Sequence, residues 1–211
     1  MTKTKIIIPL LLLAACSKSG IFNDVPQEQS RACKGFNESK PEWIIQHNST
    51  PMQSESGFVY FMGQQEARNI DVNRSQLIRS AENDARDKAA ALIETRLQSI
   101  FQNVQEGYQN SNSQTQYVST ETRNIVLKNA ITAEQYCEDV MQPIGLLNKY
   151  SSTPNYFGQN TEYEYKQRIY VRVKISESQI RDYGRKEIEK TISKDLQNKA
   201  NNLWEKSISE M

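Results

Sequence analysis

The sequence holds one histidine, His47, and it lies in polar sequence between Gln46 and Asn48. Hydrolytic triads and zinc centres need histidine held by partners, so this scarcity argues against both. Glycine is sparse, at 8 residues, and no Gly-rich phosphate loop follows a strand pattern. There is no Gly-x-Ser-x-Gly element and no Cys-x-x-Cys pair. Charge of one sign is missing too. The formal net charge is +1, which leaves no basic field of the kind that retains nucleic acid. Long apolar runs are absent: Ile6 to Ala15 is ten residues, and a spanning helix needs about 20. Carboxylates are plentiful, but they fall on charged helix-like faces and single out no acid–base pair. These absences nominate no catalytic residue, no cofactor and no metal site, and the chain is expected to be non-enzymatic.

What is present begins at the N-terminus. Lys3 and Lys5 precede the short apolar run, which ends in Leu13-Ala14-Ala15-Cys16. A charged start, an apolar middle and small residues at a cut form the layout of a bacterial secretory signal. The cysteine after Leu-Ala-Ala makes residues 1–15 a lipoprotein signal peptide and Cys16 the acylated residue. The competing reading is an ordinary secreted protein. Ser17 stands where an Asp would favour retention in an inner membrane, so the expected address is the outer membrane. The anchored domain then faces the periplasm, with surface exposure also open. Removal of Lys3 and Lys5 takes the formal charge from +1 to −1.

With Cys16 acylated, Cys33 and Cys137 remain as an even pair in an oxidising compartment. They form either a disulfide or two unpaired thiols. Closing so long a loop is worth on the order of 4 kcal/mol if the effect is chain entropy. Residues 16–40 are polar and aperiodic and are expected to be a flexible tether. Residues 41–211 are expected to form one domain, which Pro41-Glu42-Trp43-Ile44-Ile45 locks to the tether.

The fold expected is α+β. A small antiparallel sheet of about three strands holds Gly57–Gln64, Val140–Ser151 and Glu162–Ile175. The first is apolar and aromatic with glycine near both ends, and reads as a strand buried on both faces or nearly so. The last alternates, with Tyr163, Tyr165, Ile169, Val171, Val173 and Ile175 on a packed face and Glu164, Lys166, Arg168, Arg172 and Lys174 on a wet one. A long Ala-rich helix from Asn73 to Val104 packs on the sheet through Leu77, Ala81, Ala85, Ala89, Leu92, Ile93, Leu97, Ile100, Phe101 and Val104. Residues 108–120 are uncharged and polar, either a loop or a helix extension. Glu121 to Cys137 is expected to be helical. Ser176 and Gln179 fit a capping box for a long C-terminal helix. Along it Ile180, Gly184, Ile188, Ile192, Leu196, Ala200, Trp204 and Ile208 recur every fourth residue. On a 3.6-residue helix such a stripe advances about 40° per step, so one flat face cannot cover it all.

Two places are candidates for partner contact. Tyr156 and Phe157 lie in the loop before the last strand. Leu203, Trp204 and Ile208 lie at the far end of the wound stripe, where the alternative is a solvated, fraying tail. Tyr163 and Tyr165 are expected to be core.

The lipobox, Pro41 and Trp43, the aromatic strand Tyr60 to Gly63, the helix residues Ala81, Asp84, Ala85 and Ala89, and the strand residues Tyr165, Tyr170, Val171 and Val173 occur together. In this combination the chain resembles the LPP-twenty family of small bacterial outer-membrane lipoproteins, over roughly Pro41 to Ile175. It departs from that pattern in the cysteine pair, the uncharged insert and the length of its C-terminal helix. The resemblance implies an α+β domain with a structural or assembly role, which in flagellate members is a disk or ring around the motor. It offers no catalytic residues.

The expected function is therefore that of an envelope lipoprotein that holds protein partners or assembles with copies of itself, with a flagellar association left open. The alternative is a binder or regulator of peptidoglycan or its synthases, since a 24-residue tether reaches roughly 80 Å. A third reading is a small-ligand carrier with a groove between sheet and helix.

Overall fold

A computed structural model describes residues 27–49, 53–68, 73–104, 112–143 and 163–211. In chain order the elements are β1 (Gln29–Ala32), α1 (Glu42–Ser49), β2 (Gln53–Glu55), β3 (Phe58–Ala67), α2 (Arg74–Val104), α3 (Asn112–Asn129), β4 (Ile131–Pro143), β5 (Tyr163–Ser176), α4 (Glu177–Thr191) and α5 (Lys194–Ser209). The class is α+β. The strands form one sheet in the order β1-β4-β5-β3-β2, every neighbouring pair antiparallel. Two short edge strands, β1 and β2, are added to the three expected; of the expected Val140–Ser151 strand, only 140–143 fall in β4, and 144–151 lie outside the described residues.

β5 is central because its pattern suits two neighbours. Val171, Val173 and Ile175 are fully buried and face α2. β3 is joined to β2 by a two-residue turn, Ser56-Gly57, with φ of 51° and 79°. Positive φ at both turn residues is the type I′ signature that matches strand twist. Gly63 explains how closely α2 lies on the sheet. A Cβ there would sit 1.8 Å from the Ala81 carbonyl oxygen and 2.6 Å from the Ala85 nitrogen. Only glycine opposite alanine permits this approach, and it leaves no groove there for a carried ligand. Beyond Tyr60, β3 has no β2 partner. The α2 side chains cover its open edge instead: Asp84 accepts from the Gln64 N–H at 3.0 Å, and Lys88 donates to the Met62 carbonyl at 3.2 Å.

Helix α2 starts where the sequence places it, with Asn73 Oδ1 accepting from the Ser75 N–H at 3.1 Å. Three other expectations change. Residues 112–129 are helical, but from Ile131 the chain is strand, not helix. Tyr136, Cys137, Glu138 and Val140 are all buried. A strand covered on both faces shows no alternation to reveal it. The capping box does not form: Ser176 makes no side-chain cap, and Gln179 donates instead to Asn129 Oδ1 at 3.1 Å. The first N–H of α4, on Glu177, is satisfied by the Gly57 carbonyl at 2.9 Å.

The third change concerns the C-terminus. The helical stretch runs from Glu177 to Ser209 but breaks at Ile192 and Ser193, where Ile192 is extended (φ −103°, ψ 138°). α5 then folds back on α4. Trp204 lies against Gly184, where a Cβ would come within 2.0 Å of the indole ring. Its Nε1 donates to the Arg181 carbonyl at 3.1 Å. Glu205 pairs with Arg181 and with Arg185, and Arg96 of α2 donates to the Ser207 carbonyl. The four-residue stripe is buried by folding back, not by winding onto a partner. Trp204 (0% exposed) and Ile208 (2%) are core residues, and Leu203 is partly buried against the same core.

Candidate functional site

Helices α2, α4 and α5 occupy one face of the sheet. The other face carries the polar side chains of β5, and it is less open than the alternation implies. Cross-strand register sets Glu138 of β4 opposite Arg168 of β5 and Tyr136 opposite Tyr170. Residues 33–49 close over this pair. Trp43 and Ile44 of α1 are buried against Tyr136 and Tyr170, with Phe36, Ala32 and Met62 at the margin. The Phe36 ring stands edge-on to Tyr136 at 6.2 Å.

At the centre is a buried carboxylate, Glu138, 1% exposed. Its Oε1 accepts from the Tyr170 hydroxyl at 2.9 Å, from Arg168 at 3.1 Å and from Lys40 at 3.2 Å. Lys40 also donates to the Tyr170 oxygen at 3.0 Å and stands over its ring. Arg168 reaches further, to Glu66 at 2.9 Å and Glu28 at 2.9 Å. Lys166 bridges Glu66 at 3.0 Å and Glu164 at 3.4 Å. Farther along β5, Arg172 pairs with Glu134 and Glu55 and stacks 3.8 Å over the Tyr60 ring.

The electrostatics follow from these contacts. Burial and the neighbouring Glu138 push the Tyr170 hydroxyl above its ordinary value, against the pull of Lys40. Burial disfavours the Lys40 ammonium, but hydrogen bonds to Tyr170 and Glu138 outweigh it and hold the group charged beyond its usual range. Arg168 is likewise raised, with burial opposed by Glu28 and Glu66. Glu66 is lowered, its burial outweighed by Lys166 and Arg168. A carboxylate that already accepts from two cations and a hydroxyl is a clamp. Here it fixes Lys40, where residues 27–40 join the domain, onto the centre of the sheet.

A second clamp lies on the helix side. Cys33 and Cys137 are bonded, with Cα atoms 5.3 Å apart and a sequence separation of 104. The Cys33 N–H donates to the Cys137 carbonyl at 2.9 Å. Together the disulfide, β1 and Lys40 make residues 29–40 part of the domain. That corrects the expectation of a flexible tether through residue 40: backbone pairing and a covalent bond order a segment whose composition carries no fold signal.

Of the sequence-nominated residues, the structure brings Cys33 and Cys137 together and buries Trp204 and Ile208 within the chain, which removes those two from partner contact. Cys16, Tyr156 and Phe157 lie outside the described residues. Sequence reasoning missed Lys40, Glu138 and Arg168 as one network, because nothing in their spacing joins them. It also misplaced two tyrosines: Tyr163 (37% exposed) and Tyr165 (55%) are on the surface. Among the described residues there is no group of His, Cys, Asp and Glu arranged to hold a metal, and no helix is long and apolar enough to cross a membrane. A scan against protein-family models finds no match, and a search of curated proteins finds none.

Proposed function

We propose that the protein is a non-enzymatic lipoprotein of the outer membrane, anchored through Cys16, whose domain has a structural or assembly role in the envelope. It holds protein partners or further copies of itself, and a flagellar association of the LPP-twenty kind is one form this takes. The observation that carries the reading is the division of the three cysteines. Two are joined inside the domain, as suits an oxidising compartment, and the third follows Leu13-Ala14-Ala15. Support also comes from the polar network of the sheet face, whose charges are engaged with one another and with the end of the tether. Metabolic labelling tests the anchor: the chain incorporates labelled palmitate and fractionates with outer membrane, and Cys16→Ala abolishes both. For the assembly role, a soluble form from Ser17 to Met211 is expected to self-associate or to retain defined envelope proteins. A strictly monomeric form that retains nothing removes that role.

Peptidoglycan binding is the alternative outcome of the same work. The stretch between Cys16 and the domain is shorter than composition implies, because β1 begins at Gln29. Thirteen residues from Cys16 reach at most about 45 Å. Co-sedimentation of the soluble form with purified peptidoglycan would favour the alternative.

A further inference from the structure

The β4–β5 hairpin overhangs the rest of the sheet. β3 ends at Ala67, opposite Gln167, whereas β4 continues to Pro143, opposite Tyr163. Tyr163 and Tyr165 therefore have no β3 neighbour, and both are exposed at 37% and 55%. Met141 pairs with Tyr165 on one side and with Gln29 on the other. Residues opposite one another in a ladder share a face, so Gln29, Met141 and Tyr165 form one surface row. An open groove of about 440 Å³ runs beside it, with Val140, Met141 and Tyr165 in its lining. The charges around it are balanced: Arg31 pairs with Asp139, Arg68 with Glu164, and Lys166 with Glu66 and Glu164.

β1 also begins at this row, where Gln29 pairs with Met141. Gln29 opens β1, and Cys16 is thirteen residues before it, at most about 45 Å away. β5 has 14 residues and is itself about 45 Å long. A lipid on Cys16 thus keeps the overhang within about 45 Å of the bilayer. The other end of β5, Ser176, lies eleven residues beyond Tyr165, about 36 Å along the strand, so touching the bilayer there would use most of that reach. Tyrosine is suited to the boundary that results, with an apolar ring body and a hydroxyl that stays wet.

We propose that the overhanging β4–β5 end is a membrane-facing surface, with Tyr163 and Tyr165 seated in the headgroup layer of a phospholipid bilayer. The inference rests on the lipid anchor proposed above. Because the rim is charge-balanced, the contact forms on zwitterionic lipid and does not need anionic headgroups.

The test uses the full-length acylated protein in phosphatidylcholine vesicles containing brominated lipid. Tyr165→Trp is compared with Leu127→Trp. Leu127 is 52% exposed and lies beside the start of β4, where Ile131 pairs with Lys174 at the opposite end of β5. Trp43 and Trp204, both buried, supply a constant background. The expected result is a blue shift and loss of emission for Tyr165→Trp and neither for Leu127→Trp. Tyr163→Trp probes the same surface independently and is expected to behave like Tyr165→Trp. Protein that floats with the vesicles while both tyrosine-site probes remain unquenched, or are quenched no more than Leu127→Trp, overturns the proposal and leaves the anchor standing. Protein that does not float at all defeats the anchor, and the membrane-facing surface with it.

Discussion

At the scale of single residues, the decisive positions are small side chains under close contact and one buried acid. Gly184→Ala would drive a methyl group into the Trp204 ring, and Gly63→Ala would drive one into the α2 backbone. Overpacking costs about 1–3 kcal/mol where neighbours can shift, and helix backbone shifts less readily than a side chain. Urea unfolding is expected to show both variants destabilised, Gly63→Ala the more. Glu138→Ala removes the acceptor shared by Lys40, Arg168 and Tyr170. Breaking a buried charge pair costs on the order of 3–5 kcal/mol. Arg168 keeps Glu66 and Glu28, so the lower end of that range is expected from the same measurement.

The same cluster fixes a pH dependence. Tyr170 and Lys40 both titrate above their ordinary values of 10.0 and 10.5 in the folded protein. A group whose folded pKa is raised contributes stability that is complete below its unfolded pKa and is lost as pH rises through the folded one. Unfolding free energy is therefore expected to fall progressively above about pH 10, and Tyr170→Phe should flatten part of that fall. Glu66 has the opposite sign. Its folded pKa lies below 4.5, so its contribution is present above that value and lost as pH drops below it.

At the scale of elements, two devices hold otherwise weak segments. β1 is four residues long, too short to persist alone, and the Cys33–Cys137 bond secures it. Replacing both cysteines with serine is expected to cost about 4 kcal/mol, from closure of so long a loop. Hydrogen exchange should show β1 amides losing protection before those of β5. The α4–α5 hairpin depends on Trp204, which is fully buried. Trp204→Ala is expected to cost about 3–5 kcal/mol and to release α5 from α4, read as lost protection confined to residues 194–209. The hairpin also shows the limit of a periodic pattern. A stripe repeating every four residues is equally consistent with one helix winding onto a partner and with two helices folded together. What decides between them is the extended backbone at Ile192, which no residue in Thr191-Ile192-Ser193 announces.

At the scale of the whole molecule, the sheet divides two environments. One face carries the main core under α2, α4 and α5, and the other carries a small aromatic cluster and an ion network under α1. Trp43→Ala is expected to open the second face alone, raising exchange in α1 and around Tyr170 while the global unfolding transition is kept, as expected of a separable local unit. Both ends of the sheet are marked. The overhang with Tyr163 and Tyr165 adjoins the start of β1, and Ile131 and Leu127 stand at the opposite end.

Much of this was legible in the chain. Alternation named β5, and alanine spacing named α2 and most of its buried face, although it counted the half-buried Leu92 and missed Ala90; glycine-bounded apolar residues named β3, whose burial alternates instead of covering both faces. Three cysteines, one after Leu-Ala-Ala, suggested which two would pair. Other features are decided only by tertiary structure. β4 is hidden because both its faces are covered. β1 is hidden because its order comes from a bond and a neighbour, not from its composition. Trp204 becomes core only because the chain turns back at Ile192, and Tyr163 and Tyr165 become surface only because β5 outlasts β3. Periodicity tells which side of an element is apolar. Which elements end early, and which chain lies across them, depends on contacts among residues far apart in sequence.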